Sequence, residues 1–317
     1  MKYMPYFRTL SGATRRESKF ITHGPADLTD DQSHLLPTPR DVERFHQTGW
    51  YKSPVVLPED LLDHAMRGVK AFHAGERDWT LENTSRIGDD DCSSDKAILN
   101  NEMSSLQKKE IRDLLNTPIL GAIAAKLART NSIRLFADAL IAKRPFKGVD
   151  NPGIVGWHAD RAYWPTCSSH NMITMWIPLQ DCTIDMGPVF YIEGSHKWKE
   201  DLRLRKFYNF NDQNLDNLDD FLKHEKPNNA RIPMTLKKGQ ISVHHGYTIH
   251  ASRPNTSNRD RIAFAVHLQD ETNHYVPAFY PDGNKVEIGY DLVCGKDSNG
   301  NPDYSDPEVF PELFRFL

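Results

Sequence analysis

The second half of the chain is dominated by strand-like segments in which hydrophobic residues recur with a period of two. They cover 133–143, 172–179, 189–192, 241–244 and 262–268, and Gly, Pro and Asp residues cluster between them. A period of two is that of a β-strand, because successive side chains point to opposite faces of a sheet. Short strands joined by such turns are typical of antiparallel sandwiches, and we predict a jelly roll.

Helices are predicted before this region. Thr38 and Pro39 form a helix start, with Thr38 as N-cap and Asp41 in the first turn, and Gly49 ends the helix. Further elements are predicted as a strand at 50–57, a helix at 58–72, and two helices within 105–129 that meet at Thr117-Pro118. A helix with one apolar stripe needs a surface to cover. The predicted fold class is therefore mainly β with flanking α: a double-stranded β-helix (jelly-roll, cupin-like) core with N-terminal helices packed on one sheet.

No linker or internal repeat divides the sequence, so we expect one domain over 1–317. It would comprise an extended N-terminal arm at 1–37, the helices and jelly-roll core at 38–270, and a C-terminal tail over the barrel at 271–317. Residues 75–105 are interpreted as a polar, acidic loop, and 197–232 as a charged insertion with two short helices. Polar segments outside the barrel pattern often act as lids, which makes 75–105 and 271–317 lid candidates.

The charge balance argues against two classes of partner. Lys and Arg number 39 against 43 Asp and Glu, giving a net charge of −4, and no sustained basic run is present. Nucleic acid and an electrostatic membrane anchor are therefore not expected. No stretch approaches the roughly 18 apolar residues of a membrane helix, and the first residues contain no apolar signal region. We expect a cytoplasmic monomer or homodimer that acts on a small molecule, with its four scattered cysteines reduced.

His158 and Asp160 are the strongest candidates for a metal site. On an extended strand, residues two apart point to the same face, so this imidazole and this carboxylate converge on one point. Two histidines and one carboxylate with open positions are the ligand set typical of non-haem Fe(II). The third ligand is expected on a late strand, where four candidates lie: His244, His245, His250 and His267.

Four motifs, in this order, resemble the phytanoyl-CoA dioxygenase family. They are Trp157-His158-Ala159-Asp160 with Tyr163-Trp164-Pro165, then Thr174-Met175-Trp176-Ile177-Pro178-Leu179, then Gly194-Ser195-His196-Lys197, then His250-Ala251-Ser252-Arg253-Pro254-Asn255 followed by Arg259-Asp260-Arg261. The similarity runs from about Asp41 to Leu268. It implies an Fe(II)- and 2-oxoglutarate-dependent dioxygenase that uses O₂ and most often hydroxylates an unactivated C–H bond, releasing succinate and CO₂.

The resemblance also implies roles for individual residues. His158, Asp160 and His250 would be the catalytic Fe(II) ligands. Arg261 would pair with the distal carboxylate of 2-oxoglutarate, since a guanidinium offers two parallel donors that match a carboxylate.

Three further residues are expected around the cosubstrate. Ser252 lies two residues after His250 on the same strand face and would donate its hydroxyl to the same carboxylate. Thr174 and Trp176 also share a face and would form a wall of the cosubstrate pocket. Expected substrate contacts are Tyr163, Trp164 and Arg161.

Alternative interpretations apply to several of these residues. His244 and His245 are interpreted as packing or supporting residues, since neither has an Arg at the spacing of His250 and Arg261. Trp164 is equally compatible with a core aromatic position. Lys143 ends a strand leading towards the site and is interpreted as a solvent-facing charge, with a site role as the alternative.

Two other functional classes compete with the oxygenase. One is a non-catalytic jelly-roll protein that only binds a ligand, and the other is a cupin-like hydrolase or isomerase that uses Zn²⁺ or Mn²⁺. The intact ligand set argues against the first, and the chemistry of the second would not require Arg261. Basic residues that could hold the phosphates of an acyl-CoA are scattered, so a small metabolite such as a natural-product intermediate is the expected substrate.

Overall fold

The strands of the protein form two antiparallel sheets that face each other. The computed structural model describes residues 20–81, 86–148, 153–198, 230–280 and 282–316, together with residue 224. Its strands are β1 Trp50–Val55, β2 Ile98–Glu102, β3 Ser132–Lys143, β4 Val155–His158, β5 Ile173–Pro178, β6 Val189–Ile192, β7 Arg231–Pro233, β8 Gln240–His245, β9 His250–Ser252, β10 Arg261–Asp270 and β11 Glu312–Arg315. The larger sheet has the order β1-β8-β5-β10-β3-β11, with β2 also paired to β3, and the smaller has the order β4-β9-β6-β7. The predicted jelly-roll architecture is confirmed.

The larger sheet separates the helix-covered core from the space between the sheets. On β10, Ile262 and Phe264 are buried in the main hydrophobic core, whereas Arg261 and Ala265 face the cavity between the sheets. The alternation follows from the period of two that the sequence shows. This register fixes which side chains can reach the site.

The helices begin and end close to the positions that their capping residues predict. They are α1 Asp30–His34, α2 Pro39–Thr48, α3 Glu59–His73, α4 Lys109–Leu115, α5 Pro118–Ala128 and α6 Gly289–Val293. At the start of α2, Thr38 Oγ1 accepts from the Asp41 N–H at 3.2 Å, and the Asp41 carboxylate accepts from the Thr38 N–H at 2.9 Å. Gly49 ends this helix with a φ of 83°, a conformation that favours glycine. None of the described helices combines the length and the apolar character that a membrane crossing needs.

The prediction of a loop over 75–105 is wrong for its second half. Residues 98–102 form β2, which pairs with β3 in the larger sheet, and a 3-10 helix follows at Ser104–Leu106. Hydrogen bonds hold this segment: Asp90 accepts from the Asn100 N–H at 2.9 Å, and the buried Asp138 accepts from Ser104 and Ser105. The sequence of β2, Ile-Leu-Asn-Asn-Glu, has little β propensity, so tertiary pairing decides its conformation.

The described residues near both ends of the chain are more structured than their compositions indicate. The described part of the 1–37 arm contains α1, so an extended conformation is wrong there, and His23 forms a bridge with Phe314. The 271–317 tail supplies α6 and β11, and β11 pairs with β3. In the same tail, Phe310 is buried and stacks on Phe136 with ring centroids 5.4 Å apart. The predicted 197–232 insertion lies almost wholly outside the described residues.

The packing of the tail gives a stability prediction. Phe310→Ala is expected to lower the free energy of unfolding by about 3–5 kcal/mol, because it leaves a cavity against Phe136. Phe279→Ala, in the same tail but 63 % exposed, should change it by less than about 0.5 kcal/mol. Urea unfolding of both variants checks this, and equal small effects would show that the tail does not belong to the core.

Candidate active site

A cavity of about 650 Å³ lies between the two sheets. The larger sheet contributes residues of β2, β3, β5, β8 and β10 to its wall, and the smaller sheet contributes residues of β4, β6 and β9. A cavity of this size matches a small-molecule ligand. His158, Asp160 and His250 all line it.

Strand pairing brings His158 and His250 together. β4 and β9 are antiparallel neighbours, and His158 lies opposite His250 in their register, with ring centroids 4.1 Å apart. β4 ends at His158, but Ala159 keeps an extended backbone, with φ −120° and ψ 133°. Asp160 therefore points to the same side as His158, as the His-x-Asp spacing predicts, although it begins a 3-10 helix.

The two imidazoles are oriented so that one nitrogen of each is available for a metal. The Nδ1 of His158 bonds the Gly156 carbonyl at 2.8 Å, and the Nδ1 of His250 bonds the Thr248 carbonyl at 2.9 Å. A carbonyl can only accept, so both Nδ1 atoms carry the hydrogen, which leaves the Nε2 lone pairs free in the neutral rings. These Nε2 atoms lie 3.6 and 3.3 Å from Asp160 Oδ1, and the three prospective ligand atoms are within 4.8 Å of one another.

The second oxygen of Asp160 is held by a polar network. Oδ2 accepts from Thr174 Oγ1 at 2.5 Å and from His244 Nε2 at 2.9 Å. His244 is held in turn by the Tyr191 hydroxyl at 3.1 Å from its Nδ1, and Thr174 by His267 Nδ1 at 2.9 Å. Two chains of side chains thus fix the carboxylate and leave Oδ1 directed at the two histidines.

The charge states follow from burial and from these contacts. Burial would raise the pKa of Asp160, but the neighbouring His250 and the hydrogen bond from His244 hold it well below its usual range. Burial lowers the pKa of His158, and it lowers the pKa of His244 to about 4. For His250, burial acts in the same direction, yet the Asp160 carboxylate outweighs it and raises the pKa. Two histidines and an ionised carboxylate suit a divalent metal of the Fe(II) type.

A second charged feature lies beside the triad. Arg261 and Lys143 face each other in the β10–β3 register, and their side chains are 2 % and 0 % exposed. The interpretation of Lys143 as a solvent-facing charge is therefore wrong, because β3 ends inside the sandwich. Within the described part of the chain, no carboxylate forms an ion pair with either cation.

The two cations have neutral neighbours instead. Lys143 Nζ donates to Ser252 Oγ at 2.6 Å and to the Arg253 carbonyl at 2.7 Å. Arg261 Nη1 donates to the Gly187 carbonyl, while its buried Nε has no partner among the described residues. Burial lowers the pKa of Arg261 to about 10 and that of Lys143 well below its usual value. Buried cations without counter-charge are costly, so this corner of the cavity favours an anionic ligand.

The three residues expected around the cosubstrate all line the cavity. Ser252 contacts the Lys143 ammonium, and the Trp176 ring lies 5.5 Å from the Arg261 guanidinium. The indole N–H of Trp176 is buried with no hydrogen-bond partner in the described ranges. The Thr174 hydroxyl donates a hydrogen bond to Asp160, so Thr174 supports the carboxylate in addition to forming part of the cavity wall.

The expected substrate contacts divide into two groups. Tyr163 and Trp164 line the cavity, and Trp164 also packs edge-on against Phe136 and His267. Arg161 does not line it: its guanidinium donates to the backbone carbonyls of Trp164, Cys167 and Ser169. The expectation for Arg161 is therefore corrected, since its donors brace the loop that follows the 3-10 helix.

Sequence reasoning missed several residues of the cavity wall. Asn100 and Glu102 come from β2, and Tyr290 comes from α6, within the segments interpreted as loop and tail. His244 bonds the second oxygen of Asp160, a contact expected of a supporting residue. For Asn100 and Glu102, no local motif in the sequence indicates a site.

Comparisons with known proteins agree with this geometry. A model of the phytanoyl-CoA dioxygenase family matches residues 53–263, more than half of the chain. The chain belongs to the phytanoyl-CoA dioxygenase family. The resemblance seen in the motifs is thereby confirmed.

Curated relatives of this dioxygenase family are distant. Phytanoyl-CoA dioxygenase domain-containing protein 1 of Danio rerio is 26 % identical over 160 residues, covering 50 % of this chain and 52 % of the relative. Phytanoyl-CoA dioxygenase 1 of Oryza sativa subsp. japonica is 30 % identical over 129 residues, covering 38 % and 41 %. The chain spans about half the length of the curated relatives it matches.

Solved structures share the fold of this dioxygenase-family chain over most of its length. The epimerase SnoN from nogalamycin biosynthesis, in complex with Fe³⁺, α-ketoglutarate and nogalamycin RO, has a TM-score of 0.63 and 19 % identity, covering 86 % of this chain and 97 % of SnoN. EctD from S. alaskensis, with 2-oxoglutarate and 5-hydroxyectoine, has a TM-score of 0.59 and 15 % identity, covering 86 % and 88 %. At these identities the similarity establishes the fold.

The geometry of the triad predicts the effect of removing each member. His158→Ala, Asp160→Ala and His250→Ala should each weaken Fe(II) binding by more than about 100-fold, the upper end for residues that only support a ligand. The variants should stay folded, because each change removes one side chain at a cavity wall. Anaerobic Fe(II) titration by calorimetry, with circular dichroism as the folding check, measures both effects.

His245→Ala is the matched control for this series. His245 lies beside His244 on β8 but stacks on Tyr247, away from the cavity lining. It should retain Fe(II) affinity. Loss of affinity in His245→Ala together with retention in His250→Ala would refute the assignment of the third ligand.

Proposed function

We propose that the protein is an Fe(II)- and 2-oxoglutarate-dependent dioxygenase that hydroxylates an unactivated C–H bond of a small-molecule metabolite, releasing succinate and CO₂. The observation that carries the proposal is the His158–Asp160–His250 cluster beside two buried cations that have no acid partner among the described residues. A metal site alone would also suit a hydrolase. The adjacent anion site at Arg261 and Lys143 would bind a dicarboxylate cosubstrate. A hydrolase does not need such a site.

The residues of the triad fit the proposed iron. Three protein ligands on one side of a metal leave positions for a chelating 2-oxo acid and for O₂. Bound iron would supply the oxidative chemistry, with 2-oxoglutarate providing two of the electrons. Asp160 contributes the negative charge, and the hydrogen bonds to Gly156, Thr248, Thr174 and His244 hold the ligands in place.

Arg261 and its neighbours fit the distal carboxylate of 2-oxoglutarate. The unpartnered Nε of Arg261 is a buried donor, and Lys143 and Ser252 bring further donors close to the same corner. Pairing with a carboxylate would supply the missing counter-charge of Arg261 and Lys143. The Trp176 indole, near the guanidinium, would shield the pair from water.

The remaining wall is suited to holding an organic substrate away from water. Ile141, Ile154, Val155, Trp157 and Val189 are apolar residues around the cavity. They would place the substrate against the triad by shape, while excluding solvent from the reacting carbon. The structurally similar SnoN is an epimerase from nogalamycin biosynthesis, which supports a natural-product intermediate as the substrate class here.

The direct test is succinate formation. Protein reconstituted with Fe(II) should convert 2-oxoglutarate to succinate in air, faster when a candidate metabolite is hydroxylated, and the product should contain one added oxygen atom. Binding of 2-oxoglutarate without succinate would favour a non-catalytic binding protein. Turnover with Zn²⁺ or Mn²⁺ in the absence of any 2-oxo acid would favour a hydrolase or isomerase instead.

Arg261 provides a quantitative prediction. Arg261→Leu should raise the KM for 2-oxoglutarate by roughly 30- to 1,000-fold, from the loss of about 2–4 kcal/mol of charge-assisted pairing. Arg261→Lys should recover part of this, because a point charge cannot reproduce the two-pronged contact. Fe(II) affinity should remain unchanged, since Arg261 lies outside the triad. Steady-state succinate assays and Fe(II) titration give the two quantities.

Arg259→Leu is the control, since it removes the same charge from an exposed position two residues away. Its KM for 2-oxoglutarate should match that of the wild-type protein. A normal KM in Arg261→Leu would indicate that Lys143 binds the carboxylate instead. Lys143→Met should then raise the KM for 2-oxoglutarate.

A further inference from the structure

One face of β2 adds polar groups to the cavity at a place that the proposed iron and cosubstrate sites do not use. Ile98, Asn100 and Glu102 alternate along this strand and all line the cavity, whereas Leu99 and Asn101 are buried on the opposite face. Neither Asn100 nor Glu102 contacts the triad or Arg261 through any hydrogen bond in the described structure.

The oxygens of these two side chains are hydrogen-bond acceptors with spare capacity. Asn100 Oδ1 is buried and has no partner among the described residues. Glu102 Oε2 accepts from the Gly88 N–H at 3.2 Å and from the Tyr290 hydroxyl at 3.1 Å, but Oε1 has only a 3.5 Å contact with Asn100 Nδ2. The Asn100 nitrogen faces the carboxylate, so its oxygen is the atom left over.

Glu102 has no positively charged group beside it in the described structure. No Lys or Arg forms an ion pair with it within the described ranges, and Arg261 is the sole Lys or Arg among the described residues that line the cavity. Burial raises the pKa of Glu102, and the nearby Asp138 adds to this effect. A group that enters this end of the cavity would therefore be stabilised by donating hydrogen bonds and by carrying positive charge.

We propose that Glu102 and Asn100 bind the ammonium group of the substrate, so that the substrate class is an apolar amine. An ammonium has three N–H donors, enough to reach both Glu102 Oε1 and Asn100 Oδ1. Its carbon skeleton would lie along the apolar wall of Ile141, Ile154 and Val155. Carboxylates and phosphates are disfavoured here, because they would lie against the Glu102 carboxylate. The inference rests on the proposed function for the reaction, but not for binding itself.

A series of equal-length probes tests the recognition step. Octylamine, octanol and octanoate differ only in the head group, and their binding can be followed by tryptophan fluorescence, because Trp157, Trp164 and Trp176 line the cavity. Wild-type protein, with and without Fe(II) and 2-oxoglutarate under anaerobic conditions, should bind octylamine at least about tenfold more tightly than octanol and should discriminate against octanoate.

Glu102→Gln should remove most of the preference for the amine, with a roughly 10- to 100-fold weaker octylamine Kd and little change for octanol. Glu59→Gln is the matched control, since it removes the same charge from a side chain that is 79 % exposed and outside the cavity. Asn100→Asp should strengthen octylamine binding, a gain that a poorly folded variant could not produce.

The outcomes separate this inference from the proposed function. Equal binding of octylamine and octanol by the wild type, or tighter octanoate binding, would overturn the amine site. An unchanged amine preference in Glu102→Gln would also overturn it. Retention of the preference in protein that neither binds Fe(II) nor forms succinate would support the amine site while refuting the oxygenase. Succinate formation without any amine preference would do the reverse.

Discussion

The site depends on the antiparallel pairing of β4 and β9, which places His158 opposite His250. Each imidazole is tied through Nδ1 to the carbonyl two residues before it, so the strand backbone itself sets the ring orientation. Asp160 completes the group because Ala159 remains extended after β4 ends. The smaller sheet thus supplies the prospective ligands, while the larger sheet supplies Thr174 and His244 to hold the carboxylate. Neither sheet alone forms the site.

Burial of charge organises the rest of the cavity. Lys143 and Arg261 are adjacent on neighbouring strands, and the described structure pairs neither with an acid, so two like charges lie in a desolvated corner. A fold that only needed stability would replace such cations with apolar residues. The same logic applies to the Glu102 carboxylate on the far strand of the larger sheet. The described structure pairs neither the two cations nor Glu102 with an opposite charge, and the ligands proposed above would supply these missing partners.

Much of the core could be predicted from the sequence because its signals are local. The period of two fixes which residues of β5 and β10 face inward, and Thr38 and Gly49 bound α2 through capping that involves only neighbouring residues. The burial of Lys143 could not be predicted in this way, since it depends on how far β3 extends between the sheets. The pairing of β2 and β11 with β3 joins residues far apart in the chain, and Asn100-Asn101 carries no strand pattern of its own.

This difference has a functional consequence. The motifs that identify the family lie on or directly after β4, β5, β6, β9 and at the start of β10, where metal and cosubstrate geometry tolerates little variation. The end of the cavity that we propose for the substrate is lined by β2 and α6, from segments without such motifs. Tyr290 of α6 reaches Glu102 of β2 through a hydrogen bond of 3.1 Å, so the tail and the 75–105 segment meet at the cavity wall. Substrate specificity can therefore change through these two segments while the proposed iron and cosubstrate positions stay fixed. For this reason the sequence predicts the reaction class better than it predicts the substrate.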